Sequence, residues 1–393
     1  MGVSMKKVYL DYGATTPVDP QVISAMKPYF DEIYGNPSSI HSLGVNAADA
    51  IEESRKHVAS IINAKPEEIV FTSGGTEADN LAIKGIASKY EDKKGTTGPH
   101  IITTEIEHPA VLETCKYLDK TGFDVAYLPV DTEGIIKLKD IEQIISKNTF
   151  LISIIYGNNE IGTIQPMQEI GKITSKNNIF LHTDAVQAVG KIPIDIKKAN
   201  IDLLSLSAHK IYGPKGIGCL YVKKGVKITP LFHGGGHEQG KRSSTLNTPG
   251  IIGLGKACEL GKKRMKKDSA KMIKQRDTLI KNILKIEESY LNGHSKKRLP
   301  NNAHFRFTAV EGESLQLMLD SKGIAAATGS ACSSKKLTPS HVLLALGLTP
   351  EESHGSLRFT LGKDTSDQDI AYVSEELPKI VQQLRIMSPL WKK

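Results

Sequence analysis

The sequence lacks several features that would place it in a specialised class of proteins. Its 393 residues include only one tryptophan and four cysteines, at positions Cys115, Cys219, Cys258 and Cys332. The cysteines are far apart and form no CxxC pair, which argues against a disulfide framework or a zinc knuckle. No apolar run is long enough to span a bilayer, and the first residues lack the apolar stretch of a signal peptide. We therefore predict a cytoplasmic protein with no membrane partner.

The charge of the chain is moderately basic, with 51 basic and 43 acidic residues and a formal net charge of +8. Much of the excess lies in residues 262–285, where apolar positions recur at near-helical spacing. We interpret this segment as an amphipathic basic helix with a solvated face; a docking surface for an acidic protein or RNA is the alternative. No aromatic signature of RNA binding accompanies it, so we predict no direct contact with nucleic acid.

The order of the predicted elements indicates an α/β fold. From about residue 66 to 225, strand-like runs alternate with helical patterns, which is typical of an open, mainly parallel sheet covered by helices. After the basic helix, the pattern of short strand-like and helical segments suggests a smaller α+β domain. We predict a large domain over residues 17–261 and a small domain formed by residues 1–16 and 262–393. The 39% hydrophobic content is sufficient for substantial cores.

Chemically notable residues follow the predicted strands of the large domain. In open parallel sheets, ligands bind beyond the carboxyl ends of the strands. The residues expected at that edge are Gly74-Gly75-Thr76, His108, Asn158-Asn159, Asp184 and the run Ser207-Ala208-His209-Lys210.

Each of these residues also has an ordinary structural interpretation. Lys210 ends a buried strand before a Gly/Pro loop, and it could point to water or be held as a Schiff-base lysine. Thr76 could cap a helix or help that helix N-terminus to bind a phosphate. Asp184 could be a helix cap or could pair with a ring nitrogen, and His108 could be structural or could stack on a flat ring. Together they match the needs of pyridoxal phosphate.

The chain resembles the cysteine desulfurases, pyridoxal-phosphate enzymes of the class V aminotransferase family, in the NifS-type branch with a long cysteine loop. The resemblance covers nearly the whole chain. It is carried by a series of motifs in order: VYLDYGATTP, YGNPSSIHSLG, FTSGGTEADNLAIKG, TEIEHPAVL, NNEIGTIQP, HTDAVQAVGKIPID, SLSAHKIYGPKGIG, GSACSS, LRFTLG and SPLW. It implies the fold of type I pyridoxal-phosphate enzymes, with a mainly parallel seven-stranded sheet.

The resemblance also implies roles for residues at the cofactor. Lys210 would carry pyridoxal 5′-phosphate covalently, Asp184 would pair with the pyridine nitrogen, and Gln187 with the ring hydroxyl. His108 would stack on the ring and manage protons. The phosphate would be held by Gly75, Thr76, Ser207 and His209, and across a homodimer interface by Thr245.

The same resemblance implies the reaction and its partners. Asn159 and Arg358 would bind the carboxylate of L-cysteine, with help from Asn36. Cys332, in a loop over about residues 325–340, would take the sulfur as a persulfide and release L-alanine. The sulfur would pass to an acceptor, an iron–sulfur scaffold or a tRNA-thiolation protein. By residue type alone, Cys332 could instead be a small core residue. We predict no resident metal site, although Cys332 could contact an iron–sulfur cluster transiently.

Some positions depart from the family pattern. Ser244 stands where relatives usually have glycine before Thr245, and a serine would adopt a positive φ there only at a cost. The histidines of the HGGGH run, His233 and His237, have flexible glycines between them and give no rigid metal geometry. A selenocysteine lyase or a transaminase on the same scaffold is the alternative activity, and a non-enzymatic protein that keeps the fold is a further alternative.

Overall fold

The computed structural model describes residues 6–93, 98–329 and 339–391. Its strands are β1 (Val8–Tyr9), β2 (Ile69–Thr72), β3 (His100–Thr104), β4 (Asp124–Leu128), β5 (Thr149–Ser153), β6 (Phe180–Asp184), β7 (Leu203–Ser207), β8 (Gly218–Val222), β9 (Ser289–Asn292), β10 (Asn302–Phe307), β11 (Ile324–Ala325) and β12 (Ser356–Thr360). Its helices are α1 (Pro20–Met26), α2 (Pro28–Asp31), α3 (Ser42–Ile61), α4 (Gly75–Ala87), α5 (Pro109–Lys120), α6 (Leu138–Ile144), α7 (Met167–Lys176), α8 (Thr248–Ile283), α9 (Gly312–Asp320), α10 (His341–Ala345), α11 (Pro350–His354) and α12 (Asp367–Met387).

A seven-stranded sheet forms the centre of the molecule, in the order β2-β8-β7-β6-β5-β3-β4. Strands β7, β6, β5, β3 and β4 pair in parallel, and β8 is antiparallel to both of its neighbours. Residues of β3, β5, β7 and β8 are buried throughout, as expected for strands covered by helices on both faces. The predicted α/β fold with a mainly parallel seven-stranded sheet is confirmed.

The topology brings the predicted site residues to one edge of this sheet. Because β2 and β7 are both antiparallel to β8, β2 runs in the same direction as the parallel strands. The carboxyl ends of β2, β3, β5, β6 and β7 therefore lie on the same side. Asp184 is the last residue of β6, and Gly75, His108, Asn159 and Lys210 follow the ends of their strands.

A second, antiparallel sheet has the order β12-β10-β9 and packs with α9, α12 and the second half of α8 in its own hydrophobic cluster. The N-terminal segment joins this cluster through Val8 and Leu10, and β1 pairs in parallel with β11. These contacts support the predicted small domain, whose boundaries stay a prediction.

Helix α8 belongs to both hydrophobic clusters. Its first half packs on α3 and α1 around the main cluster, whereas Met272, Leu279 and Ile283 enter the second one. The predicted basic helix begins at Lys262, whereas the helix in the structure begins at Thr248. Glycines explain the difference: a Cβ at Gly255 would lie 2.5 Å from Ser54 Cβ, so the glycine permits close helix packing.

None of the helices in the described part of the chain combines the length and the apolar character that a bilayer span requires.

Candidate active site

Lys210 lies in a short 3-10 turn that directly follows β7. Its half-buried side chain donates hydrogen bonds from Nζ to the carbonyl oxygens of Gly13 and Ala14, each over 2.7 Å. The amine is therefore held against the N-terminal segment, and the alternative of a lysine directed only at water is wrong.

The Gly13 carbonyl oxygen accepts hydrogen bonds from two predicted site residues, Lys210 and Gln187. Gln187 donates from Nε2 to the same oxygen over 2.9 Å. His209 is tied to the same segment, because its Nδ1 lies 3.2 Å from the Thr15 hydroxyl oxygen. Burial, and then the charge of Lys210, lower the pKa of His209 to about 4, so its ring is neutral near pH 7.

The N-terminus of α4 forms the side of the site that would face a phosphate. The first N–H groups of a helix have no intrahelical acceptor and carry partial positive charge. A Cβ at Gly75 would lie 2.9 Å from Val186 Cγ2. Glycine at this position therefore lets the helix backbone lie close to Val186 and Ser207. Gly74 is the N-cap and Thr76 lies inside the first turn, which makes the interpretation of Thr76 as the cap wrong.

Asp184 and His108 meet at the centre of the site, together with a third residue, Asp79. One side-chain ligand atom from each lies within 4.8 Å of the other two. Among the described residues this is a group whose atoms could ligate a metal, and it coincides with the predicted cofactor site. Asp184 also accepts from the N–H of Val186 over 2.9 Å, so it holds a turn as well as facing the site.

The electrostatics of this group follow from burial. Burial raises the pKa of Asp184, while the nearby His108 and Lys210 lower it. Burial, and then repulsion from Asp184, hold the pKa of Asp79 well above its ordinary value. Burial, with the charge of Lys210, lowers the pKa of His108. Burial thus disfavours the charged form of each of the three side chains.

His108 caps α5, and this structural role fixes its tautomer. Its Nδ1 accepts from the Ala110 N–H over 3.1 Å. In a neutral ring the proton must then be on Nε2, which is the nitrogen free to donate. His108 therefore has a structural role as the cap of α5, and its Nε2–H is still available for chemistry at the site.

Arg358 lies on β12, at the junction of the two sheets, and is 4% exposed. Its Nη1 donates to the Asn159 carbonyl and its Nη2 to Asp11 Oδ1, each over 3.0 Å. Within the described chain its Nε has no acceptor. A planar guanidinium with an unused donor suits a carboxylate ligand.

Three predicted site residues are not brought into this cluster. Asn36 is exposed and accepts from the N–H of Ser38, and Thr245 is exposed on the loop before α8. Cys332 lies outside the described residues. The other three cysteines are buried, and burial raises the pKa of Cys115 to about 12 and that of Cys219 and Cys258 as well.

Several buried polar residues were missed by reading the sequence: Asp79, Glu107, Glu160 and His182. Burial raises the pKa of Glu107 to about 8 and that of Glu160 to about 7. Asp79 lies on the otherwise apolar, buried face of α4, and this position was the signal by which the sequence could have indicated it as a site residue. His182 lies within β6, where nothing in the pattern distinguishes it from a core residue.

Comparison with known proteins identifies the family. The model of the class-V aminotransferases matches residues 8–373. The chain belongs to the class-V aminotransferase family. It is 54% identical over 390 residues to a protein of Clostridium botulinum (strain Hall) named cysteine desulfurase IscS, an alignment that covers 98% of this chain and 97% of the relative. A protein of the same name from Methanosarcina thermophila is 54% identical over 388 residues, with 99% and 95% covered.

Solved structures agree with the sequence relatives. A NifS-like protein superposes with a TM-score of 0.90 at 39% identity, covering 96% of this chain and 100% of that one. A structure described as SspA in complex with cysteine gives a TM-score of 0.80 at 39% identity, with 92% and 100% covered. The chain is a cysteine desulfurase that depends on pyridoxal phosphate, which confirms the predicted family, activity and cofactor.

The site residues fit this cofactor. Gly75 leaves the space that a Cβ would fill beside Val186 and Ser207. Lys210 provides an amine held at the carbonyls of Gly13 and Ala14, and Asp184 is a buried carboxyl close to a second acid, Asp79. A cradle, an amine and an acid are the groups that a phosphorylated pyridine aldehyde requires.

Proposed function

We propose that the chain transfers sulfur from L-cysteine to its own Cys332, leaving L-alanine and a protein persulfide. The observation that supports this best is that Lys210 and the His108–Asp184 pair lie at the carboxyl edge of the large sheet, where Arg358 of β12 donates to the carbonyl of Asn159. They offer a covalent attachment point, a charged partner for a ring nitrogen and a grip for a substrate carboxylate.

We infer the following roles at the cofactor. Lys210 would hold it covalently, Asp184 would pair with its ring nitrogen, and Gln187 would donate to its ring hydroxyl. The phosphate would be bound by Gly75, Thr76, Ser207 and His209. When bound, pyridoxal phosphate supplies an electron sink that makes bonds at the substrate's α-carbon labile.

The chain's own residues would then move the protons. Lys210, once it is free of the cofactor, is the natural base for the substrate's α-proton. His108 has its Nε2–H available and a depressed pKa, so it would exchange protons near the substrate sulfur. Arg358 and Asn159 would hold the substrate carboxylate, with Asn36 in a supporting role.

Cys332 would be the nucleophile. Its thiolate would attack the substrate sulfur, the carbon–sulfur bond would break, and a new sulfur–sulfur bond would remain on the enzyme. Three other cysteines are buried with raised pKa values, so none of them offers a ready thiolate.

The test is the variant Cys332→Ser. Serine has nearly the same size but is a poor nucleophile at its ordinary pKa. We expect normal cofactor absorbance and normal L-cysteine binding, with no persulfide in mass spectra and no sulfide release. A persulfide on Cys115, Cys219 or Cys258 would contradict the proposal.

We also propose a homodimer in which Thr245 reaches the partner's cofactor phosphate. The exposure of Thr245 supports this arrangement. Mixing the inactive variants Lys210→Ala and Thr245→Ala should restore activity, because exchanged dimers contain one site with both residues intact. No recovery after confirmed subunit exchange would count against a shared site.

A persulfide on Cys332 requires an acceptor for its outer sulfur. We propose an iron–sulfur scaffold or a tRNA-thiolation protein, in the cytoplasm, as the acceptor. Loading Cys332 with labelled sulfur and following the label into each purified candidate would distinguish the two.

A further inference from the structure

The buried carboxyl of Glu160 lies where the two chain segments on either side of Cys332 come together. From one side, Ser340 donates from its hydroxyl to Glu160 Oε2 over 2.5 Å. From the other side, a Cβ at Gly329 would lie 2.6 Å from the same oxygen, so only glycine lets the backbone come this close. In the sequence, residues 330–339 connect Gly329 to Ser340.

Ser340 is itself fixed in place. It is the N-cap of α10, and its Oγ accepts from the Leu343 N–H over 3.3 Å. Val342 and Leu343 of that helix are buried in a hydrophobic cluster with Ile161. The Ser340–Glu160 hydrogen bond therefore links a packed helix, rather than a free surface side chain, to Glu160.

A second buried group faces the same glycine. His304, on β10, is fully buried, and its Nδ1 lies 3.1 Å from the Asn292 amide nitrogen, so Nδ1 is the acceptor. The neutral ring then has its proton on Nε2, which has no partner within the described chain. A Cβ at Gly329 would lie 3.0 Å from this nitrogen. Gly329 thus lies between a buried acceptor and a buried donor.

The same residues are connected to the predicted substrate site. Arg358 donates to the carbonyl of Asn159, the residue before Glu160, over 3.0 Å. Its own backbone pairs with Ala327, through N–H to O distances of 2.7 and 3.2 Å. The chain that leads to Gly329 is therefore in register with the arginine that would grip the substrate.

We propose that Glu160 is a positioning residue for sulfur transfer, whose carboxyl holds Gly329 and Ser340 in fixed places relative to Arg358. It acts through Cys332 and not on the substrate directly. This inference rests on the proposed function, since it assigns a role only if Cys332 takes the sulfur.

The experiment uses the cofactor-loaded enzyme and paired variants. Glu160→Ala and Ser340→Ala remove the contact, whereas Glu160→Gln and Ser340→Thr keep an acceptor and a hydroxyl. Ser366→Ala is the matched control, because Ser366 is also a helix N-cap and its side chain accepts from the Asp369 N–H within its own helix start. In a single turnover with L-cysteine, mass spectrometry follows persulfide on Cys332, and absorbance follows cofactor content and L-cysteine affinity.

We expect Glu160→Ala and Ser340→Ala to slow persulfide formation roughly 10- to 100-fold, the cost of a misplaced reacting group. Cofactor content and L-cysteine affinity should stay at wild-type values. Glu160→Gln and Ser340→Thr should recover most of the rate, and Ser366→Ala should keep it. In protein without cofactor, the rate at which iodoacetamide alkylates Cys332 should change several-fold in the two alanine variants only.

Any of three outcomes would overturn the inference. The first is a Ser340→Ala variant no slower than Ser366→Ala, and the second is a loss of rate that only follows a loss of cofactor or of thermal stability. The third is an unchanged alkylation rate in Glu160→Ala. A wild-type enzyme that forms no persulfide on Cys332 would contradict the proposed function instead, so the two failures can be distinguished.

Discussion

The cofactor side and the substrate side of the site bury charge in different ways. On the cofactor side, burial raises the pKa of both Asp184 and Asp79, and repulsion from Asp184 adds to burial at Asp79. On the substrate side, the positive charge of Arg358 opposes the effect of burial on the pKa of Glu160. The first side presents buried carboxyls to its ligand, whereas the second presents a guanidinium with an unused donor. A pyridinium and a carboxylate are ligands that suit these two sides.

The largest expected effect comes from removing the amine on the cofactor side. Lys210→Ala should abolish covalent attachment of the cofactor and lower turnover of L-cysteine by about 100- to 10,000-fold, because the proton-transferring base is also lost. Borohydride reduction followed by peptide mapping checks this. Lys215→Ala, five residues further on, is the control and should retain the label on Lys210. Finding the label on Lys215 or Lys223 would defeat the assignment.

The next effect comes from the substrate side and should leave the cofactor in place. Arg358→Lys loses the planar fork, so KM for L-cysteine should rise roughly 10- to 100-fold, the equivalent of about 1.5–3 kcal/mol for a charged hydrogen bond. Cofactor absorbance should not change. Arg306→Lys is a suitable control, because Arg306 lies on the neighbouring strand and binds Asn292. A loss of cofactor in Arg358→Lys would contradict the assignment of Arg358 to substrate binding alone.

Each side also contains one fully buried histidine, and the pair allows a test by pH. Burial lowers the pKa of His182 and of His304 to about 3. Below the ordinary pKa of about 6.5, the unfolded chain takes up protons that the folded one refuses. The stability contributed by each histidine is therefore complete above pH 6.5 and is lost as the pH falls toward 3.

Chemical denaturation between about pH 6 and 4.5 measures this loss. His182→Gln and His304→Gln should each make the decline less steep, by about 1.4 kcal/mol per pH unit. The two effects should add, because the residues lie in different sheets. A variant whose stability declines as steeply as the wild type would show that its histidine is not held neutral.

The smallest effect concerns the loop that carries Thr245. Ser244 has a φ of 128°, a conformation that L-residues rarely adopt. Ser244→Gly should relieve this strain and stabilise the protein by about 1 kcal/mol, after the entropy cost of glycine is subtracted. Thermal unfolding measures it. Ser243→Gly is the control, since Ser243 is buried and donates to Gly235, and it should destabilise instead. Equal effects would contradict the strain argument.

The sequence predicted the central fold well because parallel strands and helices alternate with clear periodicity. It also placed the residues that follow strands, such as Lys210 and Asp184, since the carboxyl ends of parallel strands must meet. It could not predict Asp79 or Glu160, whose partners come from distant parts of the chain. It also missed the first half of α8, because glycines that serve close packing resemble breaks in a helix.

Helix α8 has a mechanical consequence for the whole molecule. At about 1.5 Å per residue, its 36 residues form a rod about 54 Å long. One end is fastened into the cluster around the large sheet and the other into the cluster around the small sheet. If either hydrophobic cluster unfolds, α8 loses the packing contacts of one of its halves. Fraying of that half of the helix then propagates to the other half. Amide hydrogen exchange along α8 should therefore report a single cooperative opening rather than two independent ones.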